Sequence, residues 1–119
     1  ENRADIIAGI DLGTESEEVT DILIDLVQRE SKSHSLLFAR KAVAEMKTAT
    51  HFTGKPLRSA GFGVLKAPDV PSVLIELGYL SSTHDEQQLV SLEWQKRVAA
   101  AMATAVDRYF QTEVAVRAD

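Results

Sequence analysis

At 119 residues, 45% hydrophobic and only 6% aromatic, the chain has material for one domain with a mainly aliphatic core. A net charge of −5 without a basic stripe argues against a nucleic-acid binder, and no run reaches the roughly eighteen apolar residues of a membrane span. Zero cysteines exclude disulfides and thiolate metal sites and suit cytosol and periplasm alike.

The first residues, Glu1-Asn2-Arg3-Ala4-Asp5-Ile6-Ile7-Ala8, lack an initiator Met and read as the tail of a helix. The expectation is therefore a piece of a larger fold. Gly9 to Gly13 is a loop, after which Thr14 and Glu17 stand at capping-box spacing. Val19, Ile22, Leu23, Leu26 and Val27 follow at the spacing of an amphipathic helix, with Glu17, Glu18, Asp21 and Asp25 on the other faces. This predicts a helix over about 16–30, with its acidic first turn suited to the helix dipole.

The polar run Ser31-Lys32-Ser33-His34-Ser35 reads as a break or an exposed continuation. Helical spacing resumes at Leu36, Ala39, Val43 and Met46 and ends near Lys47. Residues 48–56 form a loop by their β-branched, Gly and Pro content. Alternation over 61–66 predicts one strand, and Ala67-Pro68-Asp69-Val70-Pro71 a tight connection confined by two prolines. The apolar run Ser72-Val73-Leu74-Ile75-Glu76-Leu77, closed by Gly78, predicts a second, buried strand.

Thr83 and Glu86 repeat the capping-box spacing and open a short helix to about Val90, with Ser82 at its start. Ser91 caps a closing helix over 91–110. There Trp94, Val98, Met102, Val106 and Tyr109 form a stripe expected to pack on a sheet, and a polar tail follows. Two strands alone are marginal in water, which again points to a larger fold.

Among groups able to do chemistry, Glu76 stands first, because ligands in open α/β sheets gather at strand ends. Pattern leaves two readings open: a carboxylate that merely reaches water, or a general acid or base whose pKa its apolar neighbours raise. His34, His51 and His84 lie in polar stretches without the i, i+4 pairing of a helical zinc site, and read as surface histidines. Ser81 and Ser82 lack the G-x-S-x-G context of a nucleophile elbow. Gly61-Phe62-Gly63 is too short for a phosphate loop, and Arg58 and Lys66 read as solvated charges.

The stretch from Ala60 through Glu76-Leu77-Gly78-Tyr79-Leu80-Ser81-Ser82 closely resembles the C-terminal block of zinc-dependent N-acetylmuramoyl-L-alanine amidases, the peptidoglycan amidases of bacterial cell separation. Asp85-Glu86 with Leu89, and Trp94-Gln95 through Tyr109-Phe110, match that family's closing helix. The resemblance covers nearly the whole chain, and the block around Glu76 is its most specific part. It implies an α/β fold: the C-terminal part of a mixed-sheet, three-layer αβα domain. Two core strands would lie within 61–77, the closing helix over 91–110, and an inserted regulatory helix at about 14–30.

Glu1-Asn2, Asp25-Leu26 and Ser35 resemble the autoinhibited subgroup typical of Gram-negative periplasmic enzymes, in which that inserted helix covers the active site. Its alternative is an ordinary packing helix. The resemblance further implies a Zn2+ cofactor held by two histidines and a glutamate upstream of residue 1. It makes Glu76 the general base toward a zinc-bound water that cleaves the amide between muramic acid and L-alanine. Glu1 is the first candidate for an inhibitory metal ligand, with Glu17 and Glu18 behind it. The implied partners are peptidoglycan and an activator with a LytM-type domain. Two rivals are a non-catalytic amidase-like module that binds peptidoglycan or a partner protein, and a different zinc peptidase of similar architecture.

Overall fold

A computed structural model describes residues 16–117 apart from Thr53 and Lys66. The predicted opening helix, the Gly9 to Gly13 loop, Thr14 and Glu1 lie outside the described residues. Among the described residues three α-helices carry the structure: α1 (Glu17–Met46), α2 (Thr83–Leu89) and α3 (Leu92–Arg117). The chain divides into two compact units, one of Glu1–Leu36 with Ala60–Val73 and one of Leu37–Ser59 with Leu74–Asp119.

No strand occurs among the described residues, which overturns the expected α/β, mixed-sheet architecture. A strand exists only by its ladder, and apolar alternation specifies extended backbone without specifying a partner. Gly63–Leu65 instead closes a 3-10 turn, with the Leu65 amide donating to the Phe62 carbonyl at 3.1 Å. Two glycines in six residues weaken a strand there, and the local bond answers a backbone demand that a neighbour would otherwise meet. Residues 71–79 run without helix or ladder, and Leu74 and Leu77 remain exposed on either side of half-buried Ile75.

In the first unit, Ser16 caps α1: its hydroxyl accepts from the Val19 amide at 3.4 Å, and its carbonyl from the Thr20 amide. Glu17 and Glu18 occupy the first turn, where carboxylates favour the dipole. An Asp25–Arg29 pair at 2.8 Å, one helical turn apart, supports the exposed face. The expected apolar stripe is only partly covered. Leu23 and Val27 are half-buried, whereas Ile22 is 60% and Leu26 55% exposed.

α1 does not break at the serine-rich run. The Ser33 hydroxyl donates to the Arg29 carbonyl and the Ser35 hydroxyl to the Ser31 carbonyl, each four residues back, so both side chains lie along the helix. Ser31 is only 7% exposed and donates to the Pro68 carbonyl at 2.5 Å. The Ser35 hydroxyl in turn accepts from the Ser72 amide at 2.8 Å. The run that looked like a gap is therefore the tether for residues 68–72.

In the second unit, Met46, Trp94, Val98 and Ala101 form the core, with Ala49, Phe52, Ile75, Leu89 and Met102 packed against it. Burying a side chain the size of Met46 or Val98 contributes about 1.5–3 kcal/mol. Trp94 donates its indole N–H to the Thr50 hydroxyl at 3.1 Å, which satisfies its one polar atom inside the core. Farther along α3, the Tyr109 ring meets Phe38 of α1 edge-on at 5.5 Å, and Arg108 pairs with Glu45.

α3 buries Trp94, Val98, Ala101, Ala105 and Tyr109 rather than the expected set that passed through Met102 and Val106. Repeated steps of four drift by about 40° each, whereas the eleven residues from Trp94 to Ala105 return within about 20° of the same line. Ala105 is accordingly 0% and Val106 40% exposed. The helix also continues to Arg117, through most of the stretch expected to be a polar tail.

Candidate functional site

The site candidate is the segment from Ile75 to Asp85, in the second unit. Successive side chains of extended backbone point to opposite sides. Ile75 is turned to the Trp94 core, and Glu76 beside it is exposed. Two residues on, Gly78 approaches α2 closely: a Cβ placed there would stand 3.1 Å from the Asp85 Cβ. That distance is tighter than ordinary van der Waals contact, so a side chain at 78 would require the Asp85 side chain or the turn to give by a few tenths of an ångström.

Tyr79 to Ser82 forms a turn closed by the Ser82 amide donating to the Tyr79 carbonyl at 3.0 Å. α2 then starts one residue earlier than the Thr83 and Glu86 spacing suggested. Ser82 is the N-cap, and its hydroxyl accepts from the Asp85 amide at 3.3 Å. The Asp85 carboxylate reaches back across the turn, where Oδ2 accepts from the Tyr79 amide at 3.0 Å. Its Oδ1 lies 3.4 Å from His84 Nδ1.

The backbone N–H of Tyr79, and then the bond from His84, hold the Asp85 carboxyl below its ordinary range by favouring the charged form. Sequence reading used Asp85 only as part of the matching block and missed this contact. Its signal is an acid three residues past a serine cap and seven past a glycine.

The other sequence candidates are dispersed. Glu1 lies outside the described residues, and Glu17 and Glu18 are exposed at the start of α1, in the first unit. His34 lies near Glu30 with 3.8 Å between Nε2 and Oε1, His51 is exposed, and His84 borders Asp85. Among the described residues no three His, Cys, Asp or Glu side chains gather where they could hold a metal. These residues therefore do not fit the zinc that the resemblance implies. A shallow, open groove of about 470 Å3 is lined by Lys41, Arg108, Gln111, Thr112 and Ala115, and includes none of these candidates.

Comparison with known proteins aligns residues 7–108 with the family described as N-acetylmuramoyl-L-alanine amidase. The chain is 32% identical over 110 residues to N-acetylmuramoyl-L-alanine amidase AmiA of Escherichia coli, a match covering 92% of this chain and 38% of that protein. It is 30% identical over 117 residues to the AmiC of Neisseria meningitidis, covering 98% of this chain and 28% of the relative. The chain thus spans well under half the length of either relative. No solved structure matches it. Because the aligned stretch takes in the Glu76 segment, the Asp85 turn and most of α3, the chain belongs to the N-acetylmuramoyl-L-alanine amidase family.

Proposed function

We propose that the protein carrying this chain hydrolyses the amide between N-acetylmuramic acid and L-alanine in peptidoglycan, with Glu76 as its general base. The observation that carries this is the family match through a glutamate that is exposed between an anchored isoleucine and a braced glycine turn. An exposed carboxylate at this place can take a proton from water. The water oxygen bonds to the lactyl carbonyl carbon, the C–N bond breaks, and the proton held by Glu76 passes to the departing alanine amine. The products are a lactyl carboxylate and a free amine. Zn2+ stays the cofactor we propose for the whole protein by family resemblance. No step is assigned to it, since the described residues do not form its site.

The finer reading belongs to the same proposal. The first half of α1 acts as an autoinhibitory lid, an acidic side chain (Glu1 first, then Glu17 or Glu18) serves as inhibitory ligand, and an activator with a LytM-type domain releases it in the periplasm. Release is then a population shift toward an open state that the activator prefers. What supports the lid is its surface, which pairs exposed Ile22 and Leu26 with an acidic first turn.

The rival reading is a non-catalytic module that binds peptidoglycan. Glu76→Gln decides between them. As a general base, its loss lowers kcat on peptidoglycan by about 10²- to 10⁴-fold while binding persists. Turnover close to wild type removes Glu76 from the mechanism, and an inactive wild type that still binds peptidoglycan supports the module. A comparison of muropeptides with plain peptides fixes the substrate class.

A further inference from the structure

We infer that Asp85 is the positioning residue for Glu76, fixing the turn after it through the Tyr79 amide. The inference rests on the reading of Glu76 as general base. In an ordinary capping box, the acidic residue at the third helical position accepts the amide of the N-cap residue. Here Asp85 holds that third position behind the Ser82 cap, but the Ser82 amide is already engaged by the Tyr79 carbonyl at 3.0 Å. The Asp85 carboxylate reaches three residues farther back and takes the Tyr79 amide instead, at 3.0 Å. A carboxylate in capping position thus holds a loop rather than a helix end.

The loop it holds is the one that decides where Glu76 stands. On the N-terminal side, Ile75 is fixed by the Met46, Trp94, Val98 and Ala101 core. On the C-terminal side Leu77 is exposed and Gly78 has no side chain to anchor it. Without a tie at Tyr79, the backbone beyond Glu76 would be free to pivot at the glycine. Two contacts remove that freedom: the Tyr79 N–H bond and the close approach of Gly78 to the Asp85 Cβ. The lowered pKa of Asp85 fits this role, because the Tyr79 amide favours the charged, accepting carboxylate.

The test compares Asp85→Ala, Asp85→Asn, Ser82→Ala and Glu76→Gln in the full-length protein, by kinetics on peptidoglycan, thermal melts and hydrogen exchange at the Tyr79 amide. Misplacing a reacting group by an ångström can cost about 10²-fold, so Asp85→Ala should lower kcat by about 10- to 100-fold. KM should stay within about threefold, since substrate binding does not use the tie. Tyr79 should exchange faster. Asp85→Asn retains an acceptor oxygen and should restore most of kcat and slow the exchange again. Ser82→Ala removes the cap but keeps the tie, so it should lower the melting temperature and leave kcat near wild type.

If Asp85→Ala turns over normally while Glu76→Gln is inactive, the positioning role falls and the base stands. The role also falls if Ser82→Ala is as slow as Asp85→Ala, because fraying of α2 would then be the cause. It falls again if Asp85→Asn gives no rescue, because charge and not the bond would then matter. A fully active Glu76→Gln overturns both readings together.

Discussion

Asp85 and Ser31 each do a task that their residue type permits but does not announce. Asp85 is charged and half-buried, and its carboxylate works because it meets a backbone amide with no other partner in the turn. The linkage has a definite sign. With the folded pKa below the ordinary 3.8, the contribution of Asp85 to stability is fully present well above that value and is lost as pH falls through the lowered one. The gap in melting temperature between wild type and Asp85→Ala should therefore stay constant from neutral pH down toward the carboxylate range, and close only in stronger acid. A gap that widens on acidification would contradict the assigned hydrogen bond. Glu76 is the contrasting case, exposed and held only through its backbone neighbours. Its place in the family block is legible from the sequence, whereas the tie on the turn after it comes from a residue nine positions away.

At the scale of elements, α1 is one helix of 30 residues where sequence reading expected two pieces or an exposed continuation. Serines weaken helices when their hydroxyls compete for backbone groups, and here they bond to carbonyls one turn back or to the Pro68 segment. This sets the boundary for testing the lid. A deletion that stops at Glu30 spares Ser31 and Ser35, so the tether to residues 68–72 survives. Removing residues 17–30 in the full protein should raise its basal peptidoglycan hydrolysis without activator, with helix content falling only by the deleted turns in circular dichroism. An unchanged or lower rate with the rest of the fold intact would make the segment an ordinary packing helix. The face of α3 was misread for a related reason. Large apolar residues drew the stripe toward Met102 and Val106, while the buried line runs through Ala101 and Ala105, whose small side chains carry little signal.

Over the whole molecule, the charge balance and the absence of a long apolar run were readable directly, and no described helix is long and apolar enough to cross a membrane. Family membership was readable too, because the block from Ala60 to Ser82 is specific and continuous. The expected sheet was not there to be read. Prolines and apolar alternation specify extended backbone over 71–77, but pairing needs a second segment, and no described residue supplies one. Metal binding follows the same logic, since ligands must converge. The 119-residue chain, equilibrated with Zn2+ and dialysed, should retain well under one ion per chain. Tight stoichiometric retention would reveal a site that the described residues do not display.

The sequence by itself determined what depends on neighbours a few residues apart: helical periodicity, the serine cap at Ser91, the opening of α2 to within one residue, and the block that identifies the family. Tertiary structure alone decided that α1 runs unbroken, which face of α3 is covered, and that the described residues of 61–77 form no sheet. The physical reason is range. Caps and periodicities close within one or two turns of helix, whereas the bonds from Ser31 to Pro68 and from Trp94 to Thr50 join residues 37 and 44 positions apart, and their partners exist only once the chain has folded.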